Sequence, residues 1–317
     1  LADAYQLGQQ RLQQLKDMLK KPVLAPELKA SQVHAPERLF AKADYLNAVE
    51  RAKGLIEAGD FMQVQVGQRI QKRFTQSPLS LYRALRSLNP SPYMYYLNIP
   101  TTDLTATEFE IIGSSPEALV TVKDRKAMMH PIAGTRPRSK DQVEDEKTAV
   151  KLLNDPKEKA EHLMLVDLGI NDLGRVCKPG TVEVVQFMQV ERYSHVMHLV
   201  STVTGTLNDN ITSADALKAT FPAGTLSGAP KVRAMEIIDE LEPVKRGIYG
   251  GALGYFDFAG NMDVAITIRT ALLKDGVAYV QAGAGVVADS VPSSEDMECQ
   301  NKAAVVLRAV AVASSLG

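Results

Sequence analysis

GGALGYFDFAGNMDVAITIRTALLKDGVAYVQAGAGV, residues 250–286, decides the fold. Three runs rich in β-branched and aromatic residues, 250–258, 263–273 and 277–286, are separated by the turn-forming pairs Ala259-Gly260 and Asp275-Gly276, which predicts successive strands folded back on one another as a meander. Further strand candidates lie at 61–74, 93–99, 108–112, 118–123, 127–130, 181–190 and 196–207. Helical stretches fall between them too irregularly for a doubly wound sheet. The expectation is therefore α+β, with large, mostly antiparallel sheets flanked by helices. Arg269 is the anomaly in the opening stretch: a guanidinium inside an Ile-rich strand needs an anionic partner, either a structural carboxylate or that of a ligand.

Working outward, residues 1–21 set Leu12, Leu15 and Leu19 at helical spacing and stop before Pro22. Residues 22–42 hold three prolines and little periodicity, so an N-terminal helix and linker over 1–43 precede one domain over 44–317. The chain begins with Leu1 inside a helical pattern, which suggests a longer polypeptide. A helix over 44–58 carries Tyr45, Val49, Ala52 and Ile56 on one side and stops at Gly59. The strand at 61–74 alternates Met62, Val64 and Val66 with Gln63, Gln65 and Gly67. Helices are expected at 79–88, 213–220 and 231–241, a turn between strands at 113–117, and a mobile polar loop at 134–145.

At 317 residues with 45% hydrophobic and 23% charged side chains, the composition is that of a globular protein with an ample core. The net charge of −1 provides no basic field for nucleic acid or an acidic membrane surface, and a small-molecule role is favoured. Two cysteines, no leader and no long apolar run fit a reducing cytoplasm without a membrane span.

KEKAEHLMLVDLGINDLGR, residues 157–175, reads as a helix from 156 to about 166, with Glu158 and Glu161 on one face and Leu163, Leu165 and Val166 toward apolar neighbours. Glu295 and Glu298 repeat the spacing in a helix opened by Pro292. Together the two helices offer four carboxylates to one point, suited to a Mg²⁺ that keeps coordination positions for water and an anionic substrate. On spacing alone a solvated acidic helix face is the stronger reading. Gly283 and Gly285 in GAGVV open the backbone to an anion, without the third glycine of a dinucleotide fingerprint. AGTLSGAPK, residues 223–231, lacks P-loop spacing, and its Thr225 has a hydroxyl for a ligand or for local backbone. His195 and His198, three apart in a strand, face opposite ways and make poor co-ligands.

Several longer motifs converge. SSPE (114–117), PIAGTRPR (131–138), EHLMLVDL (161–168), NDLGRV (171–176), FPAGTLSGAPKVRAMEIIDELEP (221–243) and AGAGVVADSVPSSEDME (282–298) together resemble the chorismate-utilising enzymes, most closely the branch whose synthase subunits form anthranilate. The resemblance runs from Asp44 to the C-terminus. It implies a sandwich of two packed sheets with helices outside, lacking the N-terminal regulatory region of such subunits.

By the same resemblance, Glu161 and Glu298 are Mg²⁺ ligands, Glu158 and Glu295 flank them directly or through water, and the metal holds the ring carboxylate of chorismate. Tyr249, Arg269, Lys302 and the backbone of Gly283 and Gly285 bind substrate carboxylates, Thr225 lines the site, and Ala133, Gly134 and Thr135 border the substrate. The implied chemistry is attack of ammonia at ring C2, departure of the C4 hydroxyl, and loss of pyruvate to give anthranilate. Glu117 is the general acid, with His198 beside it; burial or the charge of the four glutamates would raise its pKa. Gln63 stands where water-using relatives carry a lysine base, and Ala133 where 4-amino-forming relatives carry a nucleophilic lysine. A glutamine amidotransferase partner supplies ammonia. Asn89, Pro90, Ser91, Pro92, Tyr93 and Met94 resemble half of a tryptophan feedback site. Ile170 replaces a family arginine and Gly67 a family serine. Another chorismate amination, or a non-catalytic module, are the alternatives.

Overall fold

The structure, a computed structural model, describes residues 2–22, 34–193 and 196–316. The sequence positions 23–33 of the expected linker and His195 lie outside them. Helix α1 (Ala2–Leu19) forms where Leu periodicity expects it, yet none of its residues is buried. β1 (Glu37–Arg38) joins the edge of a sheet, and α2 (Lys42–Glu57) buries Tyr45, Ala48, Val49 and Ala52. Then come β2 (Gln63–Arg73), α3 (Pro78–Leu88), β3 (Tyr93–Pro100) and β4 (Thr107–Ser115). The middle of the chain forms β5 (Ala118–Lys123), β6 (Lys126–Met129), β7 (Ile132–Pro137), α4 (Gln142–Asn154), α5 (Pro156–Gly174), β8 (Glu183–Arg192) and β9 (Val196–Thr206). Helix α6 (Ser213–Thr220), β10 (Gly228–Ala229) and α7 (Lys231–Leu241) lead to β11 (Ala252–Phe256), β12 (Met262–Ile266), β13 (Thr270–Lys274), β14 (Val277–Val286) and α8 (Pro292–Leu316).

Among the described residues the strands build two seven-stranded antiparallel sheets. The first runs β1-β2-β14-β13-β4-β3, with β10 on β2; the second runs β11-β12-β5-β6-β9-β7, with β8 on β9. The α+β expectation holds. Apolar clusters seat α3 and α8 on the first sheet, α2 and α7 on its β2–β14 side, and α5 and α6 on the second. No helix among the described residues is long and apolar enough to cross a membrane.

Four local readings change. The expected strand 263–273 is two strands in different sheets, because the chain leaves the second sheet after Ile266 and enters the first at Thr270. Arg269 sits in that break with φ +51°, so it is not inside a strand and the last third is not a single meander. Residues 113–115 of the expected turn belong to β4, leaving only Pro116 and Glu117 between the sheets. Most of the expected mobile loop 134–145 is ordered: β7 reaches Pro137, and α4 starts at Gln142 on an Asp141 cap that accepts from Glu144 N. Arg138 pins the loop end through Asp145, 2.9 Å away. Helix α5 extends to Gly174, and Leu163 faces out rather than toward the core, while Leu165 and Val166 are buried.

A close approach fixes the start of the first crossing. The ring of Tyr95 lies directly over Gly113, so a Cβ there would overlap it, and the Tyr95 hydroxyl hydrogen-bonds Thr270 Oγ1 at 2.6 Å. Gly113→Ala must push that ring out of a buried position, and we expect it to lower stability by about 1–3 kcal/mol. Gly54→Ala in α2 meets nothing within 4 Å, and it should raise stability by up to about 1 kcal/mol through the lower entropy of its unfolded chain. Urea midpoints at constant m-value test both.

Candidate active site

The chain makes four passes between the sheets, out to β10 and back among them, and the two shortest, at residues 115–118 and 266–270, are bonded to each other. Ile266 N donates to Glu117 O at 3.0 Å, and Ser114 N donates to Arg269 O at 3.2 Å. Glu117 and Arg269 are thus delivered to one place by backbone pairing. The Glu117 carboxylate accepts from Thr225 Oγ1 at 3.3 Å, and Thr225 comes from the 3₁₀ turn Gly224–Leu226. Glu117 touches a cavity of about 30 Å³ that Thr225, His130, Leu168 and Asp172 also line.

Burial pushes the Glu117 carboxyl up to about 7, against the Thr225 hydrogen bond and the charges of Arg269 and Lys302, which pull it down. The expected role of neighbouring glutamates in that shift is not found. The charges acting on Glu117 are cationic, and it is desolvation that holds the proton. Burial likewise lowers Arg269, with Tyr249, Glu117 and Glu298 restoring its charge.

The four expected metal carboxylates gather less tightly than their spacing suggests. Glu161 rises to about 7, first by burial, then through the charges of Glu158 and Glu298. Glu158 is held by Arg136 at 2.9 Å, Glu298 by Lys302 at 2.5 Å, and Glu295 is buried and raised by desolvation against a bond to Ser290. Among the described residues no three Asp, Glu, His or Cys side chains are placed to hold a metal ion, so the expected convergence of four on one point is corrected. The arrangement still suits magnesium. Mg²⁺ commonly takes only one or two protein carboxylates and completes its shell with water and substrate, and the charge of Glu298 reaches Glu161.

Lys302 also donates to Gly283 O at 3.0 Å. β13 pairs only with residues 277–280 of β14, so beyond that point this edge of β14 has no neighbouring strand. In an antiparallel strand a residue's N–H and C=O point the same way; the Gly283 carbonyl that meets Lys302 therefore carries its amide, and that of Gly285, toward the open edge. On β2, Gln63 and Gln65 face these glycines, opposite to Val64 and Val66, which pack on α2 and α7. Gln63 is 3% exposed and its Oε1 has no partner among the described residues. Tyr249 OH donates to Gln65 Oε1 at 3.5 Å.

β7 and β9 pair Thr135 with His198 and Ala133 with Leu199. His198 Nδ1 lies 2.9 Å from Gly134 O and 3.1 Å from Thr135 Oγ1. A carbonyl can only accept, so Nδ1 bears the proton and Nε2 is the free base. Burial lowers the His198 pKa, and the charge of Arg269 adds to it. Gly134 (φ +64°) leaves room for the Glu158 carboxylate, whose Oε2 would lie 2.9 Å from a Cβ there. Ala133 is buried.

Residues 2–308 match the family described as chorismate binding enzyme. The chain belongs to that family. It is 60% identical over 273 residues to anthranilate synthase component 1 of Mycolicibacterium smegmatis, covering 86% of this chain and 52% of that protein. It is 53% identical over 316 residues to anthranilate synthase component 1 of Pseudomonas aeruginosa, covering 98% and 63%. Its fold matches the crystal structure of anthranilate synthase component I from Streptococcus pneumoniae with a TM-score of 0.85 at 44% identity, covering 95% and 66%. The chain thus spans between about half and two thirds of these relatives.

In this chain Asn89, Pro90, Ser91, Pro92, Tyr93 and Met94 lie at the end of α3 and the start of edge strand β3. Ser114 Oγ donates to Asn89 O at 2.5 Å and Tyr93 OH to Asp263 at 3.0 Å. Ile170 lies on α5 with its side chain 37% exposed, so the missing arginine leaves no hole in the core. Sequence reasoning missed Arg136, which grips both Asp155 and Glu158, and the buried pair of Asp172 with Lys231 at 2.6 Å. Nothing in their spacing links residues 59 apart.

The raised Glu117 pKa has a consequence for stability. The folded value of about 7 exceeds the unfolded 4.5, so the folded state holds the extra proton between them and stability falls as pH rises through that window. Glu117→Gln keeps an acceptor for Thr225 without the charge. Its melting temperature should match the parent's near pH 4.5 and exceed it increasingly up to about pH 7, then stay level; differential scanning calorimetry across pH checks this.

Proposed function

We propose that this chain converts chorismate and ammonia to anthranilate and pyruvate, with Mg²⁺, and that a glutamine amidotransferase partner delivers the ammonia. The observation that carries the reading is Glu117: a carboxyl protonated near neutrality by burial, fixed at a backbone crossing beside Arg269 and Thr225. Such a group can hand a proton to a leaving hydroxyl at physiological pH. The Arg269 guanidinium, the Lys302 ammonium and the open amides of β14 orient the carboxylates of a dianionic substrate.

Glu161 and Glu298 would hold the metal, with Glu158 and Glu295 behind them, and a bound Mg²⁺ would supply positive charge for the ring carboxylate. In the first step the ammonia nitrogen bonds to ring C2, the double bonds shift, and the C4 hydroxyl leaves as water with the Glu117 proton. In the second, the neutral Nε2 of His198 accepts the C2 proton while the C3–oxygen bond breaks, leaving an aromatic ring and releasing the enolate of pyruvate, which takes a proton from solvent at its methylene carbon. Gln63 is uncharged and provides no base for water, which suits a nucleophile that needs none.

With ammonium chloride and Mg²⁺, chorismate should yield anthranilate fluorescence and pyruvate in equal amounts, and EDTA should abolish both. An amine product without pyruvate would replace this reading by another amination. Glu117→Gln should cut kcat by roughly 10²–10⁴-fold. Corrected for free ammonia, the parent's kcat should fall as pH rises through about 7, because the acid is then lost; Glu298→Gln should weaken Mg²⁺ binding by calorimetry.

A further inference from the structure

Arg246 makes more directed contacts near the site than any residue assigned a role above, and the proposed chemistry does not use it. Its Nε donates to both oxygens of Glu242, at 3.1 and 2.9 Å, and its Nη2 donates to Glu242 Oε1 at 2.6 Å and to Gln65 O at 3.0 Å. Nη1 donates to Leu226 O, one residue after Thr225. The guanidinium carbon stands 5.5 Å from the centre of the Tyr249 ring, and Tyr249 OH points at Gln65. Glu242 in turn accepts the Gly67 N–H at 2.7 Å. One planar cation therefore ties together the end of α7, strand β2, the 3₁₀ turn that carries Thr225, and the loop that carries Tyr249.

Glu242 is 3% exposed and Arg246 17%. A carboxylate this deep needs a fixed cationic partner, and the fork of donors that reaches three acceptors at once is a geometry that lysine does not reproduce. Gly67 belongs to the same device. A Cβ at this position would lie 2.9 Å from Glu242 Oε1, closer than real side chains come, so any side chain here must displace the Glu242 carboxylate. The glycine at 67 and the Glu242–Arg246 pair are one feature.

We infer that Gly67, Glu242 and Arg246 form a positioning unit that aims the Tyr249 hydroxyl and the Gln65 side chain at the substrate carboxylates. The inference rests on the proposed reaction. These residues touch no reacting atom. They set chorismate affinity through Tyr249, whose ring is held from behind by the cation.

Gly67→Ala is the gentlest probe, since it moves Glu242 without removing a charge; Arg246→Lys is the stronger one. Both should raise the KM for chorismate, by several-fold and about tenfold, with kcat within about threefold of the parent. Tyr249→Phe removes the hydroxyl being aimed. Adding Gly67→Ala to it should therefore change KM less than about twofold further, a non-additivity that a purely structural defect lacks. Full additivity, or unchanged KM in both single variants with only a lower melting temperature, overturns the inference. Chorismate binding by calorimetry runs the same cycle without turnover. If the parent binds chorismate but forms no anthranilate, the proposed reaction fails while the cycle still decides the positioning unit.

Discussion

Two backbone crossings, bonded to each other, hold this molecule in its functional form. A two-sheet protein must pass its chain between layers somewhere, and each pass leaves peptide groups that neither sheet satisfies. Here the passes at 115–118 and 266–270 satisfy one another, through Ile266 N to Glu117 O and Ser114 N to Arg269 O. Ile268 of the second pass joins the second sheet's core, and between the layers stand a carboxylic acid, Glu117, and a guanidinium, Arg269. Tyr95 adds a clamp, packing on Gly113 and bonding Thr270 across the same junction. Opening either crossing would break the other, so site geometry and fold share a constraint.

The charges around this junction are sorted into two groups with opposite physics. Glu117 is raised by desolvation while Arg269 and Lys302 pull it down. Glu161 is raised by desolvation together with Glu158 and Glu298. The first suits a group that carries a proton at neutral pH; the second suits a group that awaits a cation, since a divalent ion removes the repulsion that raises it. Lys302 stands between the groups, paired to Glu298 and bonded to Gly283. Two carboxylates with similar shifts thus lend themselves to different roles.

The sequence discloses elements better than it discloses junctions. The helices over Ser213–Thr220 and Lys231–Leu241 stand where the sequence leads one to expect them. The residues at 263–273 read as one strand because apolar periodicity does not register a change of sheet; the break is carried by the φ of Arg269, a tertiary effect at a residue with no preference for it. The loop at 134–145 reads as mobile because its charges look solvated, whereas Arg138 and Asp145 satisfy each other. The paired Glu-x-x-Glu motifs correctly mark two helices, but spacing along a helix says nothing about which carboxylates will turn to Arg136 or Lys302 instead. Glu242 and Arg246 are four apart, yet Pro243 ends the helix between them and hides the pair from a helical reading.

Helix α8 shows how a costly site is held in place. Its first turns contribute the buried Glu295 and the more open pair of Glu298 with Lys302. The rest of the helix buries Ala303, Val306, Ala309, Val310 and Ala313 against α3 and the first sheet. Small residues at that spacing let the helix lie close to the strands, and their burial sets its roll and height. A roll that best packs this apolar stripe also fixes where the carboxylates point, about two turns away along a rigid rod. The charged end therefore cannot change its aim by rotating without dismantling the packed end.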